Sequence, residues 1–298
     1  MVKILNIGSI NIDYVYEVPH FVKAGETIAS GSRHVFAGGK GLNQSIAIAR
    51  AGSSVVHAGM VGADGIDLIK MLEAEGIDTS FIENSTTPTG HAIIQVTGEG
   101  QNCILLYPGA NRQLNESFID KILEPFGKGD IVIMQNEINC VAYAMQSAKN
   151  KNVRIAFNPS PVELEINRYP LEYVNWFILN EIEGEALTGK IIPDDIINEM
   201  GIKYPNATTV LTLGKDGVIC KSGDKIFRHS AYKVPVADTT AAGDTFTGYF
   251  ISSIAQGMGI EDSLSLATKA AAISVSRKGA AASIPALNEI EKEEWICK

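Results

Sequence analysis

Asp238-Thr-Thr-Ala-Ala-Gly-Asp244 is the stretch on which the reading of this chain turns. Upstream, residues 225–236 read as extended β structure. Downstream, residues 245–255 carry Phe246, Tyr249, Phe250 and Ile254 at helical spacing. A strand-to-helix turn is therefore expected. Ala241, Ala242 and Gly243 are small enough to let a ligand approach the backbone, and the first N–H groups of a helix lack intrahelical acceptors. Such a place binds anions, phosphate above all. Asp244 falls where those N–H groups converge, and a carboxylate there can accept a proton from a hydroxyl nucleophile. An aspartate at a helix start also serves as a plain N-cap, so the motif alone leaves both readings open.

The chain is long enough, at 298 residues, to bury a large α/β core. Its 45% hydrophobic and 20% charged content is that of a soluble globular protein. A net charge of −9 argues against nucleic acid or an anionic membrane surface as the main partner, though not against a local phosphate site. Cys103, Cys140, Cys220 and Cys297 lie far apart, which argues against a zinc site or disulfide framework and for a reducing, cytoplasmic setting. Lys3 runs directly into a strand-like stretch, so neither a signal peptide nor a membrane span is expected.

The first strand, residues 4–7, leads into Gly8-Ser-Ile-Asn-Ile-Asp13. Ligands of open α/β sheets bind beyond the carboxyl ends of strands, which puts Asn11 and Asp13 at a pocket mouth, suited to sugar hydroxyls. A plain turn is the other reading. The dinucleotide fingerprint Gly-x-Gly-x-x-Gly is absent here, which weakens a nicotinamide oxidoreductase. Gly38-Gly-Lys-Gly41 with Asn43 opens a helix, and its glycines suggest close approach to a polar ligand, or else a flexible turn. It is not a phosphate-binding Gly-Lys-Ser/Thr loop. Residues 14–36 and a hairpin over residues 89–107 would form a small separate sheet covering a substrate, a second subunit, or both. From residue 130 the pattern is regular βα. Asn136-Glu137 ends one strand, and Asn180-Glu-Ile-Glu183 opens a helix, where it would hold a hydrated Mg²⁺ or simply cap the helix.

Taken together, these motifs resemble the pfkB, or ribokinase-like, carbohydrate kinases. Gly38-Gly-Lys-Gly41 with Asn43 resembles the family's N-terminal signature, and Asp238-Thr-x-Ala-Ala-Gly-Asp244 its C-terminal one. The match runs from the first strand to Pro285 and is most similar to the ribose-phosphorylating branch, through Pro-Gly109-Ala-Asn111, Met134-Gln-x-Glu137 and Thr-Leu-Gly214. The resemblance implies one α/β/α sandwich with a mostly parallel sheet and a small β-sheet lid that also forms a homodimer interface. It implies that Asn11, Asp13, Gly38, Gly39, Lys40, Asn43 and Glu137 hold the sugar. Asp244 would be the base, and Ala242 and Gly243 the anion hole. Thr212, Gly214, Gly217 and Thr268 would line the ATP site. Asn180 and Glu183 would organise Mg²⁺, and Asp238, Thr240, Ser274, Arg277, Gly279 and Ser283 would surround a potassium ion. Leu179 stands where such kinases commonly have proline, and the segment between residues 189 and 209 is short. Deoxyribose, fructose, a sugar acid or a nucleoside remain alternative acceptors, and a non-catalytic sugar-binding protein an alternative role.

Overall fold

Apolar, β-branched runs that are buried along their whole length decide the large sheet. Ile4–Ile7 and Ile131–Gln135 bury every residue, the mark of strands covered on both faces. The computed structural model describes residues 2–292. In chain order the elements are β1 (Ile4–Ile7), β2 (Asn11–Val18), β3 (Ser32–Gly38), α1 (Lys40–Arg50), β4 (Val55–Val61), α2 (Ile66–Ala74), β5 (Asp78–Asn84), β6 (Gly90–Thr97) and β7 (Asn102–Tyr107). There follow α3 (Glu116–Leu123), β8 (Ile131–Gln135), α4 (Val141–Asn150), β9 (Arg154–Asn158), β10 (Trp176–Asn180), α5 (Glu181–Thr188), α6 (Pro193–Lys203) and β11 (Thr208–Thr212). The last are β12 (Val218–Ser222), β13 (Lys225–His229), α7 (Ala242–Ala255), α8 (Ile260–Val275) and α9 (Leu287–Ile290).

Nine strands form the large sheet in the order β13-β12-β11-β10-β9-β8-β1-β4-β5. The pairs from β11 to β5 are parallel, and β12 and β13 add an antiparallel edge. One face packs on α3, α4 and α6 through Phe118, Ile122, Met145, Ile196 and Met200. The other packs on α1, α7 and α8 through Ile46, Phe246, Tyr249, Phe250 and Leu264. This is the expected three-layer α/β/α arrangement. The second sheet, β3-β2-β6-β7, has four strands. Among the described residues no helix is long and apolar enough to cross a membrane. Cys103, Cys140 and Cys220 are free thiols, and Cys297 lies outside the described residues.

Two boundaries differ from expectation at the decisive motif. The extended segment ends as a strand at His229, because its partner β12 begins at Val218. There Gly217, at φ 97°, turns so tightly that a Cβ would lie 2.1 Å from the His229 carbonyl oxygen. A loop therefore separates strand from motif. Helix α7 also starts three residues earlier than the apolar spacing indicates, so Gly243 and Asp244 lie in its first turn. The short segment after Gly189 holds the eleven-residue helix α6.

Helices α1 and α7 lie against each other at Gly248, where a Cβ would approach the Ala47 Cβ to 2.4 Å and the Gln44 carbonyl oxygen to 2.8 Å. Gly248→Ala should therefore destabilise the fold by about 1–3 kcal/mol through overpacking. Urea melts check this, and an unchanged midpoint would mean that the two helices can part freely.

Candidate active site

Helix α1 begins without a side-chain cap of its own, after Gly39 at φ 93°. Distant residues satisfy its first N–H groups. Glu137 Oε2 accepts from the Lys40 N–H at 3.0 Å and from Ser9 Oγ at 2.5 Å, and Ser9 Oγ accepts from the Gly41 N–H at 3.2 Å. The glycines serve this packing. A Cβ on Gly38 would sit 2.1 Å from Asp13 Oδ2, one on Gly39 2.9 Å from the Ser9 carbonyl oxygen, and one on Gly41 2.4 Å from the Ser9 nitrogen. Any side chain at Gly38, Gly39 or Gly41 would therefore meet protein atoms.

Asp244 is 6% exposed. Its Oδ2 accepts from Asn43 Nδ2 at 3.0 Å and its Oδ1 from Gln44 Nε2 at 2.9 Å. Burial pushes its carboxyl above the ordinary value, against the charge of Lys40 and the two amide bonds, which favour the ionised form. Gln44 was not among the expected residues, nor was Gln135, which donates to Gln44 Oε1 at 2.7 Å. Both are fully buried polar side chains. The first turn of α7 has no side-chain cap; the Ala242 N–H donates to the Thr239 carbonyl oxygen at 3.3 Å, so of the two expected anion-hole donors only the Gly243 N–H, joined by that of Asp244, finds no backbone acceptor among the described residues. A Cβ at Gly243 would meet nothing within 4 Å, so this turn faces open space. The bland N-cap reading fails here, since Asp244 lies inside the helix.

Asp13 and the loop residues Asp238, Thr239 and Thr240 line a cleft of about 1200 Å³, roofed by Val15, Phe36, Ile94 and Val96 of the small sheet. Asn11, 4% exposed, accepts from Asn111 Nδ2 at 2.7 Å, and Asn111 Oδ1 takes the Ile10 N–H at 3.0 Å. Lys40 Nζ lies 3.9 Å from Glu137 Oε1. Desolvation lowers the affinity of Lys40 for its proton, but Asp244, Glu137, Glu183 and Asp13 outweigh it and hold the ammonium above its usual value. Burial first, and then the charge of Glu137, raises the Asp13 carboxyl to about 6. Asn43 Oδ1 is buried without a partner, an acceptor left over for a hydroxyl.

On the other side of the loop lies a cavity of about 500 Å³, which Thr212, Gly214, Gly217, Ala242, Gly243 and Thr268 help to line. The expected nucleotide-site residues on this list therefore share one chamber, and Thr239 borders both chambers. Asn180 and Glu183 stand apart from these linings as a complete capping box. The Glu183 N–H bonds Asn180 Oδ1 at 3.0 Å, and the Glu183 oxygens accept from the Asn180 N–H and Nδ2 at 2.9 and 3.0 Å. Glu183 is 5% exposed, and burial raises its carboxyl. Among the described residues no group of three or more His, Cys, Asp or Glu is arranged to hold a metal. A divalent ion would fit here only with phosphate and water as its main ligands.

The expected monovalent-cation residues meet where the motif loop touches residues 274–283. Asp238 Oδ1 accepts from the Thr240 N–H and hydroxyl at 2.9 and 2.5 Å, and Oδ2 from the Gly279 N–H at 3.1 Å. Burial opposes ionisation of Asp238, but these bonds prevail and hold its carboxyl below the ordinary value. Ser274 and Ser283 share a hydrogen bond at 2.8 Å. Arg277 pairs with Glu289 at 2.8 Å, so only its carbonyl suits a cation. The ionised Asp238, beside the Gly279 backbone, is a group that fits a weakly hydrated cation.

Asp13 carries a stability consequence. It binds its proton more tightly folded than unfolded, so stability falls as pH rises from 3.8 to about 6, and the full cost is present at pH 7. Asp13→Asn should therefore melt higher at pH 7, by on the order of 2 kcal/mol, with the advantage shrinking towards pH 4. Thermal melts across that range check it, and a variant no more stable at pH 7 would refute it.

Residues 1–287 match the pfkB family of carbohydrate kinases. The ribokinase of Haemophilus influenzae is 35% identical over 95% of this chain and 95% of its own length, and that of Bacillus subtilis 35% over 98% and 99%. The Thermotoga maritima ribokinase structure aligns over 98% of each chain with a TM-score of 0.87 at 34% identity. The Arabidopsis thaliana ribokinase, complexed with ribose and ATP, aligns over 98% of each with a TM-score of 0.86 at 27% identity. Two chambers meeting at an uncapped helix start, a buried aspartate held there by amides, and relatives matched end to end all lead to one assignment: this chain belongs to the pfkB family of carbohydrate kinases.

Proposed function

We propose that this protein transfers the terminal phosphoryl group of ATP to the primary 5-hydroxyl of D-ribose, giving ribose 5-phosphate and ADP. The observation that carries the proposal is Asp244, buried in the first turn of α7, with both carboxylate oxygens held by amide N–H groups. The same turn follows the loop that divides a cleft of mixed polar and apolar lining from a largely apolar cavity. Ribose occupies the cleft, with its hydroxyls on Asn11, Asp13, Asn43 Oδ1 and Glu137, and Lys40 balances the carboxylates. ATP occupies the cavity, its base towards Thr268 and its phosphates towards Gly243.

Phosphoryl transfer asks a protein mainly for positioning and charge stabilisation. Asp244 orients the 5-hydroxyl and takes its proton as the oxygen–phosphorus bond forms and the bond to ADP breaks. The free N–H groups at the start of α7 meet the charge on the transferring group, which by analogy with other anion holes is worth about 3 kcal/mol. Asn180 and Glu183 would help to hold Mg²⁺, which when bound would neutralise charge on the phosphates. Asp238, with Thr240, Ser274, Arg277, Gly279 and Ser283, would hold potassium, which when bound would fix the conformation of the loop from Asp238 to Gly243. The chain works in the cytoplasm as a homodimer built on the small sheet. The face away from the cleft exposes Val35 (53%), Ile93 (39%) and Leu105 (67%) in one cross-strand row.

ADP release with a sugar panel tests the reading. Ribose should give the fastest turnover, and Asp244→Asn should bind ribose by calorimetry yet lose at least about a hundredfold in kcat. Faster turnover of deoxyribose, fructose or a nucleoside would keep the mechanism and replace the substrate. Near-normal turnover of Asp244→Asn would remove the base. Exchanging potassium for sodium should lower kcat without changing the melting temperature, and equal rates in the two salts would remove the cation site.

A further inference from the structure

Behind Asp244 runs a chain of fully buried amides from three separate elements: Gln44 on α1, Gln135 at the end of β8 and Asn6 on β1. Its polarity is set from the far end. Asn6 Nδ2 donates to the Gly41 carbonyl oxygen and to Ser45 Oγ, both at 2.8 Å. A backbone carbonyl only accepts, so Asn6 must turn its oxygen towards Gln135. Gln135 Nε2 donates to that oxygen at 3.0 Å and to Gln44 Oε1 at 2.7 Å. Gln44 is then obliged to present Nε2 to Asp244 Oδ1, at 2.9 Å. Reversing any one amide would set two acceptors face to face.

The arrangement leaves Gln135 Oε1 buried without a partner, beside Gly8, where a Cβ would come within 2.5 Å of it. An unsatisfied buried acceptor is unfavourable for stability. It is the consequence of pointing both Gln135 hydrogens at Asn6 and Gln44. We propose that Gln44, locked by Gln135 and Asn6, is a positioning residue that holds Asp244 ionised and aimed for proton acceptance. The proposal rests on the reading of Asp244 as base. The charged groups facing Asp244 are Lys40 on α1, which favours its ionised form, and Glu137 after β8 and Glu183 on α5, which oppose it. Asp13 on β2 shares the same lysine and faces Glu137. Asp13 would touch the sugar, so its ionisation should be read in the KM for ribose, and kcat at saturating ribose isolates Asp244.

The test is the pH profile of kcat for Gln44→Leu and for the double variant Gln44→Leu/Gln135→Leu. The double variant removes both facing amides together and keeps a foldable core if the single change leaves Gln135 too poorly partnered. Losing one hydrogen bond to the carboxylate should move the acidic limb up by about one pH unit, with kcat about tenfold lower below the limb and within about twofold above it. The KM for ATP should not change. A limb at the wild-type pH, with kcat unchanged or reduced equally at every pH, overturns the proposal. Asp244→Asn in the same assay separates the two ideas. If it still turns over, the base assignment fails, whereas a dead Asp244→Asn beside an unshifted Gln44 profile removes only the positioning role.

Discussion

Two amide N–H groups, from adjacent residues of α1, reach across to the two oxygens of one carboxylate on α7. A carboxylate buried to 6% exposure would be costly without them, and each hydrogen bond to a charged group contributes about 1.5–3 kcal/mol. The reach is short only because Gly248 lets the helices touch. It is aligned only because α1 starts at a defined place, where Ser9 and Glu137 take the N–H groups of Gly41 and Lys40. Packing, capping and chemistry thus meet at a single contact between elements two hundred residues apart in sequence.

Charge is arranged around the same contact. One ammonium, Lys40, is surrounded by Asp13, Glu137, Glu183 and Asp244, so carboxylates outnumber cations. The excess is managed unevenly. Glu183 is closed in by its capping box, Glu137 by the Ser9 hydroxyl and the Lys40 N–H at the α1 start, and Asp244 by amides. Burial, and after it the charge of Glu137, raises the Asp13 carboxyl to about 6. The apolar cavity across the loop holds no such cluster, which suits a base and sugar of a nucleotide rather than a polyhydroxylated substrate.

Much of this was legible in the sequence, and for identifiable reasons. Strands such as Ile4–Ile7 are buried on both faces and therefore read as unbroken β-branched runs. The edge strand Asp78–Asn84 is mostly polar and gives no such run, so it escaped notice. Helix α3 went unassigned although Phe118, Ile119 and Ile122 carry helical spacing behind the Asn115 cap. At the site, Asp244 and the residues of the two chambers stand in compact motifs that local reading can find. The roles of Gln44 and Gln135 are not legible in this way: Gln135 stands in Met134-Gln-x-Glu137, yet nothing local says what either glutamine holds, since their partners lie 200 and 91 residues away. The glycines of Gly38-Gly-Lys-Gly41 were found, but not the Asp13 and Ser9 atoms that crowd them, because a bare sequence cannot say which part of the chain lies against the space a missing side chain leaves.

Glu137 is at once the neighbour of the Lys40 ammonium and the cap that a distant helix lacks. A residue in that position has no freedom to drift. Altering it to admit a different ligand would also unfasten the start of α1, and with it the amides that steady Asp244. Selectivity in this pocket is therefore more open to adjustment at positions such as Val15 or Ile94, which line the cleft without anchoring a helix. The architecture sorts its own residues into those that can vary with substrate and those that variation would silence.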